Sequence, residues 1–131
     1  MFNFLKKESI NVCIIDDSSQ IINLERKWIA KICPHANILS FLFPKHCLRY
    51  FEHGRPLPDV VICDVYMPDI DGTQVYDFFK SVGFAGRFYF LTSLSSGASE
   101  LLAQCPDAKL FTKPFTKDTI KQILEDCPVA R

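Results

Sequence analysis

Several apolar runs of this chain end in side chains suited to metal or phosphoryl chemistry. Residues 11–17, "NVCIIDD", close on Asp16–Asp17, and residues 59–64, "DVVICD", close on Asp64. A further run, "RFYFLTS", closes on Thr92–Ser93, and "KLFTKP" on Lys113–Pro114. Brought together, three carboxylates would repel one another unless a hard cation neutralised them. Mg²⁺ is such a cation, taking a few carboxylates, waters and a phosphate oxygen. Lys113 would add a fixed positive charge and Thr92 a hydroxyl donor, making a cradle for a phosphoryl group beside an acidic nucleophile. Phosphoryl transfer asks mainly for positioning and charge neutralisation, so this small kit suffices chemically.

Each fragment alone has a plainer reading. Paired aspartates cap helices, Thr is common in strands and Ser in the loops after them, and "KP" marks a loop. The conjunction carries weight only if the elements deliver all of these groups to one place. The chain alternates short β-rich runs with helical patterns. The runs at 11–16, 37–41, 59–65, 87–93 and 109–113 read as strands. After the first, Ser18 or Ser19 suits an N-cap, and Ile21, Ile22, Leu24, Trp28, Ile29 and Ile32 follow at helical spacing until Pro34. "KHCLRYFEH", closed by Gly54, then "TQVYDFFKSV" between Gly72 and Gly83, "ASELLAQC", and "TKDTIKQILEDC" capped by Thr116 supply four more helices. Five strands alternating with five helices predict an α/β fold with a parallel sheet covered on both faces. Sites in such sheets form beyond the carboxyl ends of the strands, where Asp16, Asp17, Asp64, Thr92 and Lys113 stand.

The bulk properties agree with one packed domain over residues 1–131. Hydrophobic residues make up 48%, including 12 Phe, enough for a core without staples. Lys+Arg and Asp+Glu balance at 15 each, which argues against direct nucleic-acid binding. Six cysteines contain no C-x-x-C pair, and Cys13 and Cys63 sit inside apolar runs. They read as buried thiols of a protein in a reducing cytoplasm. The opening "MFNFLKKES" is too short for a signal peptide or a span, and no membrane association is expected. His35, His46 and His53 lack metal-ligand spacing and read as surface residues.

The order Asp16–Asp17, Asp64, Thr92, Lys113–Pro114, with "MPDIDG" after Asp64, resembles the receiver domain of bacterial response regulators, in their stand-alone single-domain type. The resemblance covers about residues 10–127, and its D-x-x-M-P-x-x-D-G segment is specific. It implies a flavodoxin-like, doubly wound (βα)5 sheet of five parallel strands. It also implies that Asp64 accepts a phosphoryl group from the phosphohistidine of a sensor histidine kinase or phosphotransfer protein. Asp17 and Asp64 would bind Mg²⁺ directly, with the Tyr66 backbone carbonyl as a third ligand and Asp16 acting through water. Thr92 and Lys113 would hold phosphoryl oxygens, and the Lys113–Pro114 bond would be cis. Output would pass to a downstream target protein or a second copy of the chain, and no external substrate would be turned over.

A rival resemblance lies in "DIDGT", residues 69–73, which is similar to the nucleophile motif of haloacid-dehalogenase-like phosphatases. That family places its first aspartate at a strand end and an acidic pair after its lysine. Here Asp69 follows the turn "YMP", and the adjacent acids after Lys113 are Glu125–Asp126, late in the last helix. The "DD" pair precedes the nucleophile, as a receiver requires. Asp69–Thr73 therefore reads as a loop and helix start, with Asp64 the nucleophile. A third reading is a degenerate receiver that binds partners without phosphorylation.

Several positions depart from the family pattern. Tyr66 and Leu94, two residues after Asp64 and Thr92, would flank the approach of a hydrolytic water, so a long-lived phosphoform is expected. Ser93 stands where Ala or Gly is usual. Leu110 replaces the aromatic three residues before Lys113, and Phe111 should point to the other side of the strand.

Overall fold

The computed structural model describes residues 9–93, 97–112 and 116–125. The Lys113–Pro114 bond, Leu94 and Cys127 lie outside the described residues. Five strands alternate with five helices: β1 Asn11–Ile15, α1 Ser19–Ile32, β2 Asn37–Phe41, α2 Pro44–Glu52 and β3 Val60–Cys63, followed by α3 Gly72–Ser81, β4 Arg87–Thr92, α4 Ala98–Gln104, β5 Ala108–Thr112 and α5 Lys117–Glu125. The strands form one sheet of order β2-β1-β3-β4-β5, and every pairing is parallel. The expected doubly wound α/β fold is borne out.

The three central strands, β1, β3 and β4, follow from side-chain alternation in buried runs. Val12 and Ile14, Val60 and Ile62, and Tyr89 and Leu91 face one layer, built with Ile22 and Ile29 of α1 and Ile120 and Ile123 of α5. Cys13 and Ile15, Val61 and Cys63, and Phe88 and Phe90 face the other, with Cys47 and Phe51 of α2, Val75, Tyr76 and Phe79 of α3, and Leu101 of α4. Both faces are covered, which is why these strands read as continuous apolar runs rather than alternating ones. The many phenylalanines are concentrated in the second layer. Phe79, 0% exposed, meets the rings of Phe51, Phe84 and Phe88 at centroid distances of 5.4, 5.3 and 6.2 Å.

Local signals set the helix ends. Ser18 is the N-cap of α1, its Oγ accepting the Ile21 N–H at 3.3 Å. The helix stops at Ile32, two residues before Pro34, whose ring disfavours helical backbone in the residue it follows. Gly54 (φ 79) and Gly83 (φ 86) turn the chain out of α2 and α3 through the left-handed region that glycine tolerates. Thr116 Oγ1 accepts the Thr119 N–H at 3.4 Å before α5, as its capping position predicts. Leu110 packs on the α2–α3–α4 side and Phe111 on the other, where its ring lies 6.0 Å from Tyr89.

Candidate functional site

The sheet order reverses direction at its centre: from β1 the chain moves outward to β2, then crosses back to β3 on the other side. Loops leaving β1 and β3 therefore splay apart and open a crevice beyond their carboxyl ends. Ile15 and Cys63 are register partners, so Asp16 and Asp64, each the next residue, emerge side by side. The Asp64 N–H donates to the Ile15 carbonyl at 2.9 Å, extending the ladder one step past the strands. On the other flank the Asp16 N–H donates to the Phe41 carbonyl at 3.2 Å.

Carboxylate oxygens of Asp16, Asp17 and Asp64 lie within 4.8 Å of one another. Asp16 is 1% exposed and Asp64 8%, whereas Asp17 faces solvent. Two of the three carboxylates are oriented by backbone. Asp16 Oδ1 accepts the Ser18 N–H at 2.9 Å, and Asp64 Oδ1 accepts the Val65 N–H at 2.7 Å. Thr92, wholly buried, closes β4 next to β3, so its hydroxyl-bearing carbon stands at the same end of the sheet. An all-oxygen donor set this close suits a hard divalent cation and is unsuited to a soft one.

The loop after Asp64 is tightly folded. The Gly72 N–H donates to the Val65 carbonyl at 2.7 Å, and a Cβ at Gly72 would lie 2.5 Å from the Asp64 carbonyl oxygen. Glycine is therefore required by close approach, although its φ is ordinary. Cys63 adds a thiol donor to the same carbonyl at 3.1 Å. Tyr66 stands 62% exposed on this loop. Asp69 adopts φ 72 in the turn that follows, a conformation Asp tolerates better than most residues.

The "DIDGT" segment is thereby accounted for. Asp71 is the N-cap of α3: its Oδ1 accepts the Thr73 and Gln74 N–H groups at 3.0 and 3.2 Å and the Thr73 hydroxyl at 2.6 Å. Gln74 Oε1 returns the favour to the Asp71 N–H at 2.9 Å, completing a capping box. Neither Asp69 nor Asp71 belongs to the acidic cluster. Asp71→Ala is expected to lower stability by about 1 kcal/mol, measured as the urea midpoint, while leaving the acidic cluster in place.

One buried acid escaped the sequence reading. Glu25 is 1% exposed on the core side of α1, flanked by Ile22 and Ile29. Its spacing of three and four from those isoleucines was the available signal, masked by the polarity of the residue. The Cys63 thiol is pushed well up by burial first, then by the charges of Cys47, Asp64, Asp16 and Glu25.

A family model for the response regulator receiver domain matches residues 12–125. The chain belongs to that family. Receiver domains are signalling modules of two-component systems, and solved receivers share this one's fold. A receiver domain protein from Clostridium thermocellum aligns with a TM-score of 0.77 and 22% identity, over 89% of this chain and 92% of that one. The Vibrio cholerae chemotaxis protein CheY4 aligns at 0.77 and 19%, over 91% and 98%. The Thermotoga maritima response regulator TrrA, solved in complex with Mg²⁺ and beryllofluoride, aligns at 0.75 and 23%, over 88% and 96%. Among the described residues of this receiver, no helix is long and apolar enough to cross a membrane.

Cys13 and Cys105 of the receiver give a pH prediction. Burial, followed by the hydrogen bond and charge of Cys47, holds the Cys13 thiol well above its ordinary range. Burial, then the charges of Asp77 and Asp71, pushes Cys105 up to about 11. Folding therefore keeps protons that an unfolded chain releases above about pH 8.5. This contribution is fully present below that value and is lost as pH rises through about 11. The urea midpoint should fall between pH 8 and 11 on this account, and Cys105→Ala should shrink the fall.

Proposed function

We propose that this receiver is a Mg²⁺-dependent phospho-acceptor whose phosphorylation at Asp64 switches protein-partner binding. The observation that carries the reading is the convergence of Asp16, Asp17 and Asp64 at adjacent strand ends, their oxygens within 4.8 Å. Asp64 is the acceptor because it follows β3, the middle strand of the sheet, and its carboxylate is oriented by the Val65 N–H. Bound Mg²⁺ would neutralise the carboxylates and the incoming phosphoryl oxygens. Asp17 and Asp64 would hold it directly with the Tyr66 carbonyl, and Asp16 through water. Thr92 and Lys113 would hold phosphoryl oxygens.

The phosphodonor is a sensor histidine kinase or a phosphotransfer protein, and the output is contact with a target protein or a second copy. The switch runs from Thr92 to the α4–β5–α5 face through Leu110, which is half-buried and packed on the core beside α4. The domain turns over no external substrate and resets by slow hydrolysis of its own acyl phosphate. A cytoplasmic location follows from such partners.

The metal part is tested by titrating Mg²⁺ into isotopically labelled protein. Saturable amide shifts confined to the loops after β1 and β3, lost in Asp17→Asn, are expected. Shifts that persist unchanged in that variant would remove Asp17 from the site.

A further inference from the structure

Apart from the acidic crevice, the described residues hold a pair of thiols in contact. Cys13 of β1 and Cys47 of α2 place their sulfur atoms 4.0 Å apart across the layer between sheet and helix. Both residues are 0% exposed, and both are free thiols. They lie 34 residues apart in sequence, and α1 and β2 fall between them. We propose that Cys13 and Cys47 form a latent disulfide, a modification site closed by hydroperoxide oxidation.

A disulfide needs the sulfurs about 2.05 Å apart, so they must close by roughly 2 Å. The two elements differ in how readily they can supply that movement. β1 is hydrogen-bonded along both edges, to β2 and to β3. α2 has nine residues, no side-chain hydrogen bond at its N-cap Phe43, and an irregular stretch, residues 54–58, after its end. Adjustment therefore falls to α2. Lifting that helix also admits the oxidant, because neither sulfur meets solvent otherwise.

The chemistry balances with a hydroperoxide as two-electron oxidant. The Cys47 sulfur, on the helix that lifts, attacks a peroxide oxygen and becomes a sulfenic acid as the first water leaves. The Cys13 sulfur then attacks the sulfenic sulfur, forming the S–S bond and releasing a second water. Two thiols lose two protons and two electrons, and hydrogen peroxide gains both to become two waters. Burial, which holds the Cys13 thiol protonated, makes the reaction slow. The bond would tie α2 to the strand that leads, three residues later, to Asp16.

The test treats the reduced full chain with hydrogen peroxide and reads the intact mass before and after reduction; a second portion has its remaining thiols blocked and is mapped by peptides. A loss of about 2 Da per chain is expected. Tryptic fragments 8–26 and 46–49, which carry Cys13 and Cys47, should be joined. The join should vanish in Cys13→Ser and Cys47→Ser, and reduction should restore the original mass. The oxidised wild-type chain should also unfold at higher urea, since the cross-link closes a long loop. Oxygen addition at Cys33, links between other cysteines, or links between two chains, without the 13–47 join, would overturn the proposal. Mapping of the wild-type chain decides the matter even if the serine variants fail to fold.

Discussion

Gly72→Ala is expected to destabilise the domain by about 2–3 kcal/mol and to slow phosphorylation of Asp64 at least ten-fold. The added Cβ would stand 2.5 Å from the Asp64 carbonyl oxygen, 2.9 Å from the ring of Phe90 and 3.0 Å from the Val65 Cα. Two of those three neighbours are backbone, and the third is a fully buried ring, so none can give way cheaply. The accommodating movement is separation of α3 from the loop that carries Asp64, with loss of the 2.7 Å hydrogen bond from Gly72 N–H to Val65. That loop also carries the Tyr66 carbonyl. A misplacement of order 1 Å at a phosphoryl site costs about 10²-fold, which makes the kinetic effect as large as the loss of stability. Urea unfolding and the rate of adduct formation from acetyl phosphate measure the two effects separately. A variant with wild-type stability would show that the close packing of α3 on this loop is not tight.

Tyr66→Asn should shorten the lifetime of the phosphoform by about ten-fold or more. Tyr66 is 62% exposed on the loop two residues beyond Asp64, so its ring is supported little by the core. Hydrolysis of an acyl phosphate requires a water on the line opposite the leaving carboxylate. A bulky aromatic there excludes or misaligns it, whereas a small amide admits and orients it, and misplacements of this scale are worth about 10²-fold. The decay of the phosphoryl adduct after removal of donor measures the effect. Equal decay in the two proteins would assign the lifetime to other groups.

The fold was legible because its three central strands, β1, β3 and β4, are buried on both faces and its helices are amphipathic. Runs such as "VVIC" and "NVCII" have no other stable home, and the spacing of Ile22 and Ile29 sets the face that α1 buries. The strand ends were legible too, since Asp16 and Asp64 each follow the last apolar residue of a run. Their separation was not, because it depends on which strands are neighbours, and sequence order does not state that β1 and β3 adjoin. "DIDGT" looked like chemistry because a capping box and a nucleophile motif use the same residue types. Register separates them, with Asp71 capping α3 at seven residues beyond Asp64. Glu25 was hidden for the opposite reason: a charged residue on the core face breaks the pattern by which core faces are found. The approach of Cys13 and Cys47 depends on how α2 settles on the sheet, a long-range contact that no local spacing encodes.

The most direct test of the account is intact-protein mass after incubation with acetyl phosphate. A single phosphoryl adduct that requires Mg²⁺, disappears with chelation and is absent in Asp64→Asn is the predicted result. An adduct that survives Asp64→Asn, or that forms equally well without Mg²⁺, would contradict the assignment of Asp64 and its acidic neighbours as the phosphoryl site.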